Sequence, residues 1–121
     1  MKLIILGGRN YKLTRDDFLA LNDLASEHNV TEIVSSGVTS AVAGGEEWAS
    51  SQSPPVPIKV FRVDWNKYGK AAGSIRNREM LEYVVPDGGI LLFPGGTRTA
   101  SMIQEAIKYN LSIFDWRDTQ D

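Results

Sequence analysis

The sequence predicts an α/β fold built on one parallel sheet. Five short apolar runs alternate with four longer stretches, which is the β-α-β alternation of parallel sheets. The first strand, residues 2–7, has an unbroken apolar run from Leu3 to Leu6, as expected for a strand buried on both faces. Two of the runs lead directly into glycine-rich turns, Gly7-Gly8 and Gly95-Gly96. A strand followed by a glycine turn and a helix is typical of phosphate-binding α/β proteins.

The first half of the chain supplies two strands and two helices. Thr14 can cap the first helix, because Asp16 and Asp17 stand in its first turn, where negative charge is favourable. The second helix has a weaker apolar pattern, and Trp48 is its bulkiest residue. In order, we predict a strand at 2–7, a helix at 15–28, a strand from Glu32 to Ser36 and a helix at 40–52.

The second half supplies three strands and two helices. Pro54, Pro55 and Pro57 mark a connector rather than a domain linker, because too little chain lies on either side for two cores. Pro86-Asp87-Gly88 stops the third helix. In order, we predict a strand from Ile58 to Val63 that ends in Asp64-Trp65, a helix at 70–85, a strand from Gly89 to Phe93, a helix at 98–110, a strand from Leu111 to Phe114 and a flexible tail at 115–121.

These elements form one domain over residues 1–121. We expect a Rossmann-like, doubly wound sheet of five strands in the order 3-2-1-4-5, with helices on both faces. In that order the topological switch lies between strands one and four, and ligands of such folds bind outside the carboxyl ends of strands at the switch. Both glycine turns follow these two strands, so the motifs and the expected crevice coincide.

Composition excludes several classes of protein. The chain has 121 residues, 13 Lys and Arg, 15 Asp and Glu, and a net charge of −2. This net charge argues against broad nucleic-acid binding, which normally needs a basic surface. It has no cysteine, so disulfides and thiolate zinc sites are excluded. We expect a cytoplasmic protein without a membrane segment, metal or cofactor. A local basic patch remains, formed by Arg62, Lys67, Lys70, Arg76 and Arg78.

The two glycine turns are the main candidates for ligand binding. Glycine lets the backbone approach a phosphate closely. After strand one, Arg9 offers a guanidinium that suits a phosphate or a carboxylate. In each case the alternative is a tight turn that binds nothing. The turns read Gly7-Gly8-Arg9-Asn10 and Pro94-Gly95-Gly96-Thr97-Arg98-Thr99.

Four further residues are expected at the same crevice. Arg76 and Asn77 lie near the start of the third helix, with a structural ion pair to Asp64 or Glu79 as the alternative for Arg76. Asp64 can accept hydrogen bonds from ribose hydroxyls or orient Arg76, and it is the first candidate for a catalytic carboxylate, ahead of Glu79 and Glu105. Trp65 can stack on a base, or simply pack as part of the core or a lid.

The remaining polar residues carry weaker signals. Ser36 and Gly37 belong to a Ser35–Ser40 loop after strand two that either lines the crevice or is an ordinary loop. Glu46 and Glu47 are expected on a solvated helix face. His28, the only histidine, is expected near the end of the first helix, where it favours the helix dipole. We find no Ser–His–Asp set and no metal-binding cluster in the sequence.

These motifs resemble the SLOG superfamily of Rossmann-like nucleotide-binding proteins, which includes the Lonely-guy phosphoribohydrolases and the DNA-processing protein of competence. The branch that the chain resembles most is the YspA-like one, common in phages and bacterial mobile elements. The resemblance covers nearly the whole chain. It implies binding or processing of nucleotide derivatives such as ADP-ribose, and a homo-oligomer. The motifs are Gly7-Gly8-Arg9, Ser35 to Ala49, Asp64-Trp65, Tyr68 to Gly73, Ile75-Arg76-Asn77, Met80-Leu81, Pro86-Asp87 and Phe93 to Thr97.

The chain departs from this family at positions that matter for catalysis. The Lonely-guy enzymes carry Pro-Gly-Gly-x-Gly-Thr-x-x-Glu with a catalytic glutamate, and here Arg98 replaces the third glycine and Met102 the glutamate. In the loop after strand two, Thr39, Ser40 and Val42 replace an arginine, a glycine and an aspartate of the YspA-like branch. Glycosidic cleavage at ribose needs a carboxylate, so the binding motifs are retained while the expected catalytic acid is missing.

Three functions remain open from the sequence. The first is a non-catalytic binder of a nucleotide derivative, ADP-ribose-like or cyclic, that acts as a sensor or a sequestering sponge. The second is a nucleotide N-glycosidase or phosphoribohydrolase, and the third is a DNA-binding module. An oligomer interface could lie on the second helix around Trp48, or on the third and fourth helices.

Overall fold

The computed structural model describes residues 1–37, 39–95 and 99–117, and in these residues the chain forms one five-stranded, all-parallel sheet with helices on both faces. The predicted fold class and strand order are confirmed. The elements are β1 (Lys2–Leu6), α1 (Arg15–His28), β2 (Glu32–Ser35), α2 (Ser40–Ser51), β3 (Ile58–Val60), α3 (Trp65–Tyr68), a 3-10 turn (Gly69–Ala71), α4 (Ala72–Val84), β4 (Gly89–Leu92), α5 (Thr99–Lys108) and β5 (Ser112–Asp115).

The strand order is β3-β2-β1-β4-β5, so β1 lies between β2 and β4 at the centre of the sheet. Leu3 of β1 pairs with Ile33 of β2 and with Gly89 of β4. The register continues to Leu6, which pairs with Leu92 at the carboxyl end of β4. The central strands β1 and β4 therefore end side by side, as the sequence predicts.

Two apolar clusters cover the faces of the sheet. Successive strand residues point to opposite faces, so Leu3 and Ile5 pack under α1 and α2, whereas Ile4 packs under α4 and α5. The strands β1, β2, β4 and β5 each contribute to both clusters, which explains why the central runs are apolar without alternation.

The helix starts follow their capping residues. Thr14 and Asp17 form a reciprocal capping box at α1: the Asp17 N–H donates to Thr14 Oγ1 over 3.1 Å, and the Thr14 N–H donates to Asp17 Oδ2 over 2.9 Å. Thr39 caps α2 through a hydrogen bond from the Val42 N–H over 3.1 Å. The predicted bounds of these two helices agree with the observed ones to within one residue.

The prediction for the connection after β3 was wrong. The strand ends at Val60 rather than Val63, because its only neighbour, β2, ends at Ser35 and the last bridging bond runs from the Phe61 N–H to Ser35 O. Asp64 is therefore not in a strand. Its Oδ1 accepts the Lys67 N–H over 3.0 Å and starts the separate one-turn helix α3, so α4 begins only at Ala72.

The end of the chain also differs from the prediction at its boundary. Asp115 belongs to β5 rather than to a tail, and the Trp116 N–H donates to Leu92 O over 2.9 Å. The Trp116 ring packs edge-on against Phe93, with the ring centroids 5.6 Å apart. Arg117 forms an ion pair with Asp115 over 2.7 Å, and this hydrogen-bonded partner holds the Asp115 pKa below its usual range.

In the described part of the chain, no helix is both long enough and apolar enough to cross a membrane.

Candidate functional site

The two glycine turns contact each other at the carboxyl edge of the sheet. The Gly8 N–H donates to the carbonyl oxygen of Pro94 over 2.9 Å, directly beyond the paired ends of β1 and β4. Gly95, with φ of +93°, occupies a backbone conformation that favours glycine, and its Cα side faces Gly8. The structure therefore brings together the predicted residues Gly7, Gly8, Pro94 and Gly95.

Close packing of backbone explains why these positions are glycine. A Cβ on Gly7 would lie 2.5 Å from Ala41 Cβ of α2 and 2.8 Å from Phe93 Cβ, and a Cβ on Gly8 would lie 2.9 Å from Pro94 O. The fold itself requires these glycines, whatever the turns bind. The Gly8 N–H already donates to Pro94 O, so it is not available to a ligand. What the junction presents is a backbone surface without side chains.

The loop after β2 is fixed against the first glycine turn. The Ser40 N–H, at the start of α2, donates to Arg9 O over 3.2 Å. Ser36 is 3% exposed, whereas Gly37 is exposed with φ of +75°. Of the residues in this loop, Ser36 is therefore packed into the edge of the sheet, and Gly37 lies on its surface. Val38 lies outside the described residues.

Glu46 does not belong to a solvated face, which corrects the prediction for this helix. Ser35 Oγ, fully buried, donates to Glu46 Oε1 over 2.6 Å and accepts the Gly37 N–H over 2.9 Å. This chain of hydrogen bonds holds the end of β2 and the following loop in place. Of the two glutamates, only Glu47 is exposed, as predicted.

Arg76 and Asn77 lie in the second turn of α4 and are half-buried. The Arg76 Nε donates to Asn77 Oδ1 over 3.1 Å, so the two predicted side chains are in contact. Arg76 takes part in a further interaction as well. Arg78, two residues on, is exposed.

The Asp64 carboxylate is used as a helix cap, and Trp65 is exposed. Asp64 Oδ1 is the acceptor that starts α3, and the residue is exposed. Trp65 exposes 57% of its surface, which excludes the alternative that it packs in the core; stacking on a base and a role as a lid stay predictions. Tyr68, one turn later, exposes 36%, and Lys67 Nζ lies 5.1 Å from its ring centroid.

Part of the second glycine turn lies outside the described residues, namely Gly96, Thr97 and Arg98. Thr99 begins α5. Met102, which the resemblance aligns with the catalytic glutamate of the Lonely-guy enzymes, is 3% exposed in the apolar cluster under α4 and α5. In this chain, that position points into the core.

Tyr11 and Asp17 support the site, and this role was not predicted from the sequence. The Tyr11 hydroxyl donates to Asp17 Oδ2 over 2.6 Å, its ring stacks on Phe93 at 5.6 Å, and its N–H donates to Gly8 O over 3.3 Å. Burial, and then the hydrogen bond to Asp17, raise the Tyr11 pKa above its usual value. The Thr14-x-x-Asp17 capping pattern is a detectable signal for Asp17, but nothing in the sequence indicates the pairing with Tyr11.

A groove of about 410 Å³ opens elsewhere on the surface. No residue that lines it is charged, and it lies beside the carboxyl-terminal half of α2, at the other end of that helix from the Arg9–Ser40 contact. It is therefore a poor site for an anion, and we favour the glycine junction on chemical grounds. Its lining residues are Asn22, Ala25, Ser26, Trp48, Gln52, Ser53, Pro54 and Val56.

The chain matches no protein-family model, no curated protein and no solved structure.

Proposed function

We propose that this chain binds a phosphate-bearing nucleotide derivative at the carboxyl ends of β1 and β4, as a sensor or as a sponge that sequesters the ligand. The observation that carries the proposal is the hydrogen bond from Gly8 to Pro94, because it joins two glycine turns at the topological switch of the sheet. Open α/β sheets bind their ligands at this position. The proposal of an ADP-ribose-like or cyclic nucleotide comes from the SLOG resemblance.

The distribution of charge supports an anionic ligand. The chain has a net charge of −2, yet basic residues follow the carboxyl ends of β1 and β3 and the start of α4. Arg9 and Arg62 are exposed, and Arg76 is half-buried beside Asn77. Lys67 and Lys70 add two exposed ammonium groups. A cleft with one sign of charge attracts the opposite charge even when the whole protein does not.

The carboxylate expected for hydrolysis is missing, which favours binding, and two carboxylates near this edge each have one oxygen in a hydrogen bond within the fold. Asp64 caps α3, and Glu46 accepts the Ser35 hydroxyl. Met102 replaces the family's glutamate and is buried. A glycosidase needs a carboxylate within reach of the ribose, so cleavage of the ligand is the competing outcome that the test below has to detect.

The test is native mass spectrometry and calorimetry with AMP, ADP, ADP-ribose and cyclic nucleotides, followed by chromatography of the ligand after incubation. We expect at least one ligand to bind and to be recovered intact. Arg9→Ala and Arg76→Ala should each weaken binding roughly tenfold or more, because each removes a charged hydrogen-bond donor.

Arg78→Ala is the matched control, because Arg78 is exposed on the same helix and lies about 200° around it from Arg76. It should bind as the wild type does. Release of a free base or of ribose phosphate would instead assign the chain to the hydrolases. Absence of binding across the panel, or equal loss in all three variants, would overturn the proposed site.

A further inference from the structure

We infer that α3 is the base-binding end of a two-ended site, so that the ligand reaches from the glycine junction to Trp65 and Tyr68 and carries at least two phosphate groups. The inference rests on the proposed function and specifies its ligand. Its basis is the position of two exposed aromatic side chains relative to the strand order.

Trp65 and Tyr68 are unusual on this surface. Among the described residues, the exposed large hydrophobic side chains are Leu19, Trp65, Tyr68, Val85 and Ile107, and the two aromatic ones are both in α3. They stand three residues apart, so they share one side of the single helical turn. Aromatic rings presented to solvent in this way are platforms on which nucleobases stack.

The turn that presents these rings is already formed. Asp64 Oδ1 accepts the Lys67 N–H, and the Gly69 N–H donates to Trp65 O. Gly69 has φ of +56° and ψ of −131°, and no atom lies within 4 Å of the place of a Cβ. Glycine is therefore required there by backbone conformation rather than by packing, which indicates that the sequence maintains the shape of this exposed turn.

Strand order sets the distance between the strand ends that precede the two turns, and Trp65 lies five residues beyond Val60, the last residue of β3. α3 follows β3, which is separated from β1 by β2 and from β4 by β2 and β1. With neighbouring strands about 4.8 Å apart, the end of β3 lies roughly 10 Å from the end of β1 and roughly 14 Å from that of β4. In a nucleoside monophosphate only the ribose separates base from phosphate, so a ligand with a longer polyphosphate part fits this span better.

A cation lies between the two ends. The Arg62 Nη1 is 3.4 Å from the place of a Cβ on Gly37, so this guanidinium lies against the loop that follows β2. In the strand order this places it between α3 and the glycine junction. Arg62 is thus positioned for a phosphate between the base and the terminal group, and its planar fork suits that contact.

The test compares ligands of increasing length on variants of each end. The ligands are ribose 5-phosphate, AMP, ADP and ADP-ribose, and the variants are Trp65→Ala, Trp65→Phe and Arg9→Ala, with Leu19→Ala as the control for loss of an exposed apolar side chain. We expect Trp65→Ala to weaken ADP and ADP-ribose roughly tenfold or more, and Trp65→Phe to retain most of the affinity. ADP-ribose should depend on both Trp65 and Arg9, whereas AMP should depend on only one of them.

Intrinsic fluorescence gives an independent measurement. The chain has three tryptophans, of which Trp48 is buried and Trp116 packs on Phe93, so the exposed Trp65 should account for most quenching by adenine nucleotides. Quenching should disappear in Trp65→Phe while calorimetric binding persists. If ADP-ribose binds with Arg9 dependence but unchanged by Trp65→Ala, the inference is overturned and the proposed function stands. If none of these ligands binds the wild type, both fail.

Discussion

The N–H of Gly8 donates a hydrogen bond to the carbonyl oxygen of Pro94 over 2.9 Å. The bond joins the turn after β1 to the turn after β4, which are separated by more than 80 residues in the sequence and are neighbours only because β1 pairs with β4. It is a tertiary contact, and the backbone that it joins also forms the surface of the candidate site. Substitutions that disturb it should therefore affect stability as well as binding.

Gly7→Ala should lower the free energy of unfolding by about 1–3 kcal/mol. The new methyl group would lie 2.5 Å from Ala41 Cβ and 2.8 Å from Phe93 Cβ, two atoms fixed to the backbone that cannot rotate away. Gly44→Ala is the comparison, because its methyl group would lie 2.9 Å from Leu13 Cδ1 and 3.1 Å from Leu13 Cβ, so Leu13 has to shift slightly, while alanine gains up to about 1 kcal/mol within a helix and offsets part of that cost. Urea unfolding compares the two. A Gly7→Ala protein as stable as the wild type would contradict the packing described at the junction.

The Tyr11–Asp17 hydrogen bond should make stability fall at alkaline pH. The folded protein raises the Tyr11 pKa, mainly by burial, so above the unfolded pKa of about 10 the unfolded chain loses a proton that the folded chain retains. The stabilisation is complete below pH 10 and is lost as the pH rises further. Urea titrations at pH 8 and 10.5 should show a smaller pH-dependent loss for Tyr11→Phe than for the wild type. Equal losses would show that this hydroxyl does not contribute.

The fold was predictable because its determinants are local and repeated. Apolar runs such as residues 2–7 and capping residues such as Thr14 and Thr39 each specify an element without knowledge of its neighbours. The connection after β3 was not predictable from the sequence, because its course depends on where the neighbouring strand ends. Once β2 ends at Ser35, residues after Phe61 have no strand to pair with, and Asp64 caps a helix instead.

The site was predictable only in part. Glycine turns at the ends of β1 and β4 follow from topology, so the meeting of Gly8 with Pro94 and Gly95 could be expected. The side-chain partners from different elements could not be predicted. The Ser35–Glu46 and Tyr11–Asp17 hydrogen bonds depend on how the helices lie on the sheet.

Trp48→Ala should destabilise the protomer by about 3–5 kcal/mol, as large aromatic truncations in cores do. The side chain is 2% exposed, and its Nε1 donates to Asn22 Oδ1 over 2.9 Å. The indole itself is therefore a core group, whereas an oligomer interface on the surrounding face of α2, or on the later helices, stays a prediction. Asn22→Ala, which removes only the acceptor, should cost about 0.5–1.5 kcal/mol. Urea unfolding with size-exclusion chromatography separates the two roles, because an interface residue would change the oligomeric state without destabilising the protomer.

Met102→Glu should not create a glycosidase, although it restores the residue expected by resemblance. Met102 is 3% exposed in the cluster that includes Met80 and Leu81, so a glutamate would bring an unpaired carboxylate into an apolar core and cost several kcal/mol. Burial would raise the pKa of the new carboxyl, so the folded state would bind a proton more readily than the unfolded state. The loss of stability should then be largest near pH 7 and should diminish towards pH 5.

Met102→Leu and Met102→Gln are the controls for this substitution. Leucine keeps the volume and should cost less than about 1.5 kcal/mol, whereas glutamine adds polarity without charge and should lack the dependence on pH between 5 and 7. Unfolding of the three variants at both pH values, together with chromatography of ADP-ribose after incubation, gives the comparison. A Met102→Glu protein that is as stable as the leucine variant and releases a base would place this side chain in the crevice rather than in the core.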